Sequence, residues 1–183
     1  MSQYNYQEII ECWFDPNNKP LWFNSTPVFD VELKDRFESV YIAGCQSQLS
    51  DWEDEPEGIL ALIILFDQLP LNMYRGDARS FEMEQRAQEL ASLAVEKEFD
   101  LVLNKEQKMF IYMPFMHSEK LVDQDRALAL YEKAGLDENL KFAKHHRDII
   151  ARFNRFPHRN AILNRESTEA EKNYLVSGEA FLG

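Results

Sequence analysis

The sequence has 183 residues, of which 45% are hydrophobic, and its formal net charge at pH 7 is −12. This length and apolar fraction predict a globular protein with its own core, organised as a single domain over residues 1–183. The negative charge argues against binding to nucleic acids and to anionic membrane surfaces, because both repel an acidic protein. The first residues lack the basic and apolar stretches of a signal peptide, which predicts a cytoplasmic protein.

The first half of the chain contains two helical patterns that carry the cysteines. Apolar side chains at helical spacing predict a first helix over residues 6–14 and a second helix that Asp30 caps. Cys12 and Cys45 lie among apolar residues of these helices, so we expect both thiols to be buried. Two cysteines so far apart match neither a disulfide framework nor a metal-binding motif, and the sequence therefore predicts no metal site.

The most apolar part of the chain begins at Pro56, a residue suited to the first turn of a helix. The run Ile59–Phe66 is apolar on every side, which predicts a helix buried in the core. Pro70 disfavours helical geometry at the residue before it, so we expect this helix to end near Leu69.

Asp67 and Gln68 would then lie in the last turn of this helix, where the negative end of the helix dipole disfavours a carboxylate. A buried Asp67 needs a cation or several hydrogen-bond donors. Two interpretations stay open. Asp67 forms an internal ion pair with Arg75 or Arg79 that connects two helices, or Asp67 and Arg75 line a polar pocket.

The second half of the chain alternates helical patterns with turn residues. A long amphipathic helix is predicted over residues 78–99. The apolar run 109–115 is compatible with a short helix or an extended segment, and we favour a short helix ending before Pro114. Gly135 is suited to end another helix in a left-handed conformation. The polar residues suited to begin helices are Ser118, Asp137, and Thr168 with Glu171 as a capping box.

These helical patterns, with only six glycines in the chain, predict an all-α protein. Short turns between consecutive helices favour antiparallel helix pairs, arranged as a bundle or as a compact tetratricopeptide-like α-superhelix. Ala127, Tyr131 and Ala134 match the second helix of a tetratricopeptide unit, although no clean period of about 34 residues is present.

Positive charge is concentrated between Lys141 and Arg165. This segment contains seven basic residues, one acidic residue and three of the four histidines. It is either neutralised by acidic residues elsewhere in the protein or used to hold an anion. Its interleaved aromatic residues do not outweigh the negative charge of the whole chain, so we expect no nucleic acid partner.

His146 lies on the apolar side of a predicted helix that precedes Pro157. A histidine there is either a hydrogen-bonded core residue or part of a ligand site, and both interpretations stay open. His117 and Glu119 do not have the spacing of a zinc-binding helix motif, which again predicts no metal. No glycine-rich phosphate loop is present, and the cofactor, if the protein has one, is unknown.

Four long strings carry a family resemblance: L-I-I-L-F-D-Q-L-P-L-N-M-Y-R-G-D-A-R-S-F, F-I-Y-M-P-F-M-H-S-E, H-H-R-D-I-I-A-R-F-N-R-F-P-H-R-N and S-T-E-A-E. In this order they resemble the bacterial family named as domain of unknown function 924, over the chain from Cys12 to Phe181. The resemblance implies an all-α, tetratricopeptide-like superhelix and no established activity. The chain departs from the family's usual D-Q-F-P-R-N at Leu69 and Leu71.

Polar residues at the family's motif positions form the candidate site. These candidate binding residues are Asp67, Gln68, Asn72, Arg75, His117, Glu119, His146, Arg155, His158, Arg159 and Asn160, together with Ser118. Because burying such a group alone would cost about 2 kcal/mol or more, we expect the charged ones to converge and to satisfy one another. The residues expected to converge are Asp67, Arg75, His117, Glu119, Arg155, His158 and Arg159.

Three functions are compatible with such a site. The leading hypothesis is a binding module for a small anionic ligand or an acidic peptide segment, since arginine forks suit carboxylates and phosphates. The first alternative is a hydrolase-type enzyme that uses His and Glu side chains as acid and base beside an arginine clamp. The second alternative is a polar network with only a structural role. The sequence predicts neither the ligand nor the oligomeric state, and it leaves open whether the protein is an enzyme.

Overall fold

The computed structural model describes residues 4–181, and 71% of the chain is helical. Within residues 4–181 there is no β-strand, so the predicted all-α class is confirmed. No helix in this range combines the length and apolarity needed to cross a membrane. The chain groups into two compact units: the first extends to Pro114 without Gly76–Ala78, and the second comprises Gly76–Ala78 and the chain from Phe115. The single domain stays a prediction.

Most helices of the first unit are short. The unit contains α1 (Gln7–Phe14), α2 (Pro27–Cys45), α3 (Pro56–Ile63), α4 (Leu69–Met73), α5 (Glu84–Glu96), α6 (Phe99–Val102) and most of α7 (Lys105–His117). Short 3-10 turns at Lys19–Leu21, Ser50–Asp54 and Ala78–Phe81 connect some of them. The long helix predicted over residues 78–99 is wrong at both ends, because it begins as a 3-10 turn and α5 ends at Glu96.

The sequence predicted that the buried helix at the centre of the first unit ends near Leu69, and this prediction is wrong. A π-helical turn, Ile64–Gln68, follows α3, and the Leu69 N–H donates to the Ile64 carbonyl five residues earlier. The wider turn places Pro70 in the first turn of α4, where its missing N–H removes no required hydrogen bond. Asp67 therefore lies inside a π turn and not at the end of a helix.

The start of α2 and the exposure of its last residue also differ from the predictions. Thr26 caps α2 by accepting a hydrogen bond from the Phe29 N–H, and Asp30 lies within the first turn. A threonine directly before a proline begins a helix well, because the proline at the first position needs no N–H partner. Cys12 is buried as expected, but Cys45 is exposed because α2 ends there at the surface.

Helix α7 continues through Pro114, whereas the sequence predicted an end before it. An internal proline removes one backbone hydrogen bond. The side chains on either side of it, Met113 and Phe115, are both buried. Burying two such side chains stabilises the helix by more than one hydrogen bond contributes, since each is worth about 1.5–3 kcal/mol.

The second unit contains α8 (Leu121–Ala134), α9 (Asp137–Phe153) and α10 (Glu169–Leu175). Helices α8 and α9 pack together as a hairpin, and Gly135 ends α8 with a positive φ of 64°, as predicted. Lys120 precedes α8 in place of the predicted cap Ser118, whose hydroxyl donates to Asp123 at 2.6 Å.

Two other predicted helix starts have different outcomes. Asp137 is the first residue of α9 and does not cap it, because Leu136 holds the capping position. The capping box before α10 is confirmed: Thr168 accepts from the Glu171 N–H, and the Glu171 carboxylate accepts from the Thr168 N–H.

The central apolar run predicts a large loss of stability when it is truncated. Leu62, Ile63 and Leu65 are nearly completely buried, as expected from the sequence. We expect Leu65→Ala to lower the free energy of unfolding by about 2–5 kcal/mol, through lost burial and the cavity left behind. Urea titration measures this change. Leu101, which is 56% exposed, is the control, because Leu101→Ala should change stability by less than about 1 kcal/mol. An equal loss in both variants would contradict the burial of the central apolar run.

A second prediction concerns the contact between α3 and the turn Ser50–Asp54. A Cβ atom added at Gly58 would lie 2.3 Å from the backbone carbonyl oxygen of Trp52, so one element must move. We expect Gly58→Ala to cost roughly 1–3 kcal/mol in thermal or urea unfolding, although alanine favours helices. Gly178→Ala is the matched control, because nothing lies within 4 Å of the added carbon. A stabilised Gly58→Ala variant would show that this contact is looser than described.

Candidate functional site

The second unit brings together side chains from three separate stretches of chain. His117 comes from the end of α7, His146 from α9, and His158 and Arg159 from the 3-10 turn Pro157–Arg159. The charges of Arg159 and His117 affect the pKa of both His146 and His158. We call these four residues the histidine cluster.

His146 is buried and uncharged. Its side chain is only 4% exposed, and its Nδ1 lies 2.8 Å from the carbonyl oxygen of Phe142. A carbonyl only accepts hydrogen bonds, so Nδ1 carries the proton and Nε2 carries the lone pair. Burial is the main cause that lowers the pKa of His146 to about 4, and the charges of His117, His145 and Arg159 lower it further. The imidazole is therefore neutral at pH 7.

His158 is also uncharged. Burial lowers its pKa to about 3, with the positive charge of Arg159 as the next cause. The ring lies between two aromatic neighbours, with its centroid 5.6 Å from that of Phe156 and 5.0 Å from that of Phe181. Its Nδ1 is enclosed and has no hydrogen-bond partner within residues 4–181.

Arg159 is a buried cation at this cluster. Its guanidinium carbon lies 4.6 Å from the centroid of the Phe156 ring, within the range of a cation–π interaction. The same charge lowers the pKa of Glu119 as well as those of the two imidazoles. The guanidinium charge therefore acts on two members of the cluster and on Glu119, in addition to the larger effect of burial.

Glu119 holds this part of the second unit together. Its carboxylate accepts two hydrogen bonds from Arg165, at 2.7 and 2.9 Å, and one from the Phe156 N–H at 2.7 Å. Burial alone would raise the pKa of Glu119, but these hydrogen bonds outweigh it and keep the pKa below its usual value. Glu119 lies before α8 and fixes the turn that carries His158.

Arg155 belongs to a neighbouring ion pair. It donates to both carboxylate oxygens of Glu171, at 2.6 and 2.8 Å, and also to the Glu166 carbonyl. Glu171 is buried, and its pKa is lowered to about 2, chiefly by the hydrogen bonds from Arg155. Asn160 is buried close by, where it accepts from Arg165 Nε at 3.0 Å and donates to Ser167. Arg155 and Asn160 thus stabilise the chain around α10.

The candidate residues of the first unit form contacts of their own. Asp30 accepts hydrogen bonds from Arg75 at 2.7 and 3.2 Å, from Asn72 at 2.7 Å and from Ser25 at 2.7 Å. Burial would raise the pKa of Asp30, but these donors lower it overall. The structure therefore pairs Arg75 with Asp30, a residue that the sequence indicated only as a helix cap.

Asp67 and Gln68 are buried within the π turn. Gln68 Nε2 lies 2.5 Å from Asp67 Oδ2 and 3.4 Å from the sulfur of Met113. The joint site of these first-unit residues with His117, Glu119 and the others stays a prediction. Within residues 4–181, no three His, Cys, Asp or Glu side chains are grouped closely enough to hold a metal ion.

Three contacts of the site were not predicted from the sequence. They involve Arg165, the backbone N–H of Phe156, and the ring of Phe181. Arg165 lies in the basic segment, but no local pattern indicated that its partner is Glu119, 46 positions earlier. The excess of positive charge in that segment was the only available signal.

Comparisons with other proteins identify the family. A family model described as a bacterial protein of unknown function, DUF924, matches residues 9–179. The chain belongs to this family. The solved structure of a protein of unknown function from Agrobacterium tumefaciens is similar, with 35% sequence identity, a TM-score of 0.89, and coverage of 94% of this chain and 97% of that chain. No curated protein matches the sequence.

The family and the all-α fold predicted from the sequence are thereby confirmed. Both the family and this solved structure are described as being of unknown function.

The uncharged histidines predict a specific dependence of stability on pH. In the unfolded chain His146 and His158 take up protons near pH 6.5, whereas in the folded protein their pKa values are about 4 and 3. Protonation therefore favours the unfolded chain: their contribution is complete above pH 6.5 and is lost as the pH falls. We expect the free energy of unfolding to drop by roughly 5 kcal/mol between pH 7 and pH 4.5, about half of it from each histidine.

Urea titrations at several pH values measure this slope. The carboxylates with lowered pKa values lose most of their contribution below about pH 4.5, so they add little to the change in this range. A variant with His146→Asn and His158→Asn should lose most of the slope. Replacing the exposed His145 by Asn should leave most of the slope in place, because burial is the main cause of the lowered pKa of His146. A slope that survives in the double variant would contradict the assignment.

Proposed function

We propose that this protein is a cytoplasmic binding module, and that its histidine cluster binds a small anionic ligand or the acidic end of a peptide. The observation that supports this proposal is the position of Arg159, a buried guanidinium whose charge lowers the pKa of two neighbouring imidazoles. Burial is the larger cause of both lowered pKa values, and the positive charge that adds to it also attracts a carboxylate or phosphate.

Proton uptake would accompany binding at this site. Because His146 Nδ1 is held by the Phe142 carbonyl, a further proton goes to Nε2 and converts it from an acceptor into a donor. An anion beside the ring would stabilise that imidazolium and raise its pKa. By linkage, the affinity for the anion rises as the pH falls from 7 towards the pKa of the free protein.

The contacts of Glu119 favour binding over acid–base catalysis. Both of its oxygens accept hydrogen bonds from Arg165, and one also accepts from Phe156, so the carboxylate acts as a positioning group. Imidazoles with pKa values of about 4 and 3 are weak bases for chemistry at neutral pH. In this proposal the histidine cluster faces the ligand, while Glu119, Arg155 and Asn160 support it.

NMR titration of the histidine side chains tests the proposal. With inorganic phosphate, acetate or citrate added at millimolar concentration, the resonances of His146 and His158 should shift and their pKa values should rise. The anions should also raise the melting temperature, and more strongly at pH 5.5 than at pH 7.5. Histidine resonances that do not respond to any of the three anions would refute the proposal.

Three variants complete this experiment. Arg159→Met removes the charge and should abolish the response, whereas Arg159→Lys keeps the charge and should retain part of it. Arg155→Ala should lower the melting temperature equally with and without anions, because its partner Glu171 is structural. Loss of the anion response in Arg155→Ala alone would place the ligand at Arg155 and contradict the assignment to the cluster.

A further inference from the structure

The ring of Phe181 lies against the histidine cluster. Its centroid is 4.5 Å from that of His146, 5.0 Å from that of His158 and 6.4 Å from that of His145. The Phe181 N–H donates to the hydroxyl of Tyr174 at 2.9 Å, which fixes the chain beside the cluster. A phenyl side chain thus covers the place where the ligand is proposed to bind.

The surface that receives this ring is itself aromatic. The Phe156 ring contacts both imidazoles, with centroids 5.5 Å from His146 and 5.6 Å from His158. Neutral imidazoles pack against a phenyl ring at lower cost than imidazolium ions, whose desolvation is more expensive. We call the surface formed by His145, His146, Phe156 and His158 the aromatic slot.

The chain that carries Phe181 is held mainly by the Tyr174 hydroxyl and by the packing of Ala180 and Phe181 on the core beside Phe156. Between α10 and Phe181, the side chain of Val176 is 87% exposed, and no neighbouring atom lies within 4 Å of a Cβ added at Gly178. The Glu179 and Ala180 N–H groups make only long hydrogen bonds of 3.3 Å, both to Ser177. A segment whose backbone makes so few short hydrogen bonds opens at a lower free-energy cost than the helices beside it.

We propose that the aromatic slot binds a peptide segment of another protein that carries a phenylalanine beside an acidic residue, and that such a segment displaces Phe181. This inference rests on the proposed function: the acidic group is held by Arg159 and the phenyl ring enters the slot. The chain's own segment has this chemistry, because Glu179 precedes Phe181 by two residues. The resident ring shows that the slot fits a phenylalanine side chain.

Competition from Phe181 gives the proposal a measurable consequence. An incoming peptide binds only the fraction of molecules in which the slot is open, so its apparent affinity is reduced by that fraction. Removing the resident ring should therefore strengthen binding in trans, which is opposite to the usual effect of truncating a side chain in a binding site.

Fluorescence anisotropy with a labelled peptide that copies residues 177–183 tests this consequence. The peptide should bind the full-length Phe181→Ala variant about tenfold or more tightly than it binds the wild-type protein. Phe23→Ala is the matched control, since it removes an exposed phenylalanine of the first unit and should bind like wild type. Circular dichroism checks that both variants remain folded.

Two altered peptides assign the contributions of the ring and the charge. The peptide with Phe181→Ala should not bind the Phe181→Ala protein, and the peptide with Glu179→Gln should bind it more weakly than the unaltered peptide. Equal binding of all three peptides would overturn the proposal. So would equal affinity of the unaltered peptide for the wild-type and Phe181→Ala proteins.

Light scattering tests whether the slot is instead occupied by the Phe181 segment of a second copy of this chain. If the Phe181 segment of a second copy fills the slot, wild-type protein forms dimers that Phe181→Ala does not form, and the proposed peptide partner is then wrong. The NMR titration distinguishes failure of this inference from failure of the proposed function. If only the peptide inference is wrong, anions still shift the His146 and His158 resonances. If the proposed function is wrong, they do not.

Discussion

The carboxylate of Glu119 is the group on which the candidate site depends. It joins a loop before α8, the backbone of Phe156 and the side chain of Arg165, three parts of the second unit that are distant in sequence. Since Phe156 immediately precedes the turn that carries His158 and Arg159, this carboxylate also fixes those two side chains. Removing it would leave a partly buried Arg165 without its main partner, which costs more than the pair contributes when intact.

A buried cation beside neutral imidazoles explains why the site combines polar and aromatic character. Arg159 interacts with the face of Phe156 and at the same time opposes protonation of His146 and His158. The imidazoles therefore pack as uncharged aromatic rings at neutral pH, although they can gain charge when an anion approaches. The same residues can thus accommodate a phenyl ring and respond to a negative charge.

The sequence predicted those parts of the fold that depend on local chemistry. The apolar run Ile59–Phe66, the glycine that ends α8 and the capping box at Thr168 each have a cause within a few residues, and each is present. The helix ends predicted at Pro70 and Pro114 are wrong for different reasons. The π turn places Pro70 in the first turn of α4, and at Pro114 the burial of its neighbours outweighs the lost hydrogen bond.

The sequence predicted which charged residues belong to the candidate site better than it predicted their ion-pair partners. The sequence indicated that Arg75 and Glu119 would be held by opposite charges, but not that the partners are Asp30 and Arg165. Those pairs span 45 and 46 positions, and the fold alone decides which of many charges meet. Phe181 had no signal at all, because a phenylalanine near a glycine-containing segment is compatible with many contacts.

The π turn Ile64–Gln68 also sets the phase of the helix that follows it. A π turn contains one residue more than the equivalent α-helical turn, and each residue rotates the chain by about 100° around the axis. The extra residue therefore directs Asn72 of α4 towards Asp30 of α2. Without it, the same sequence would present a different face of α4 to α2, and the polar contacts of Asp30 would require another set of donors.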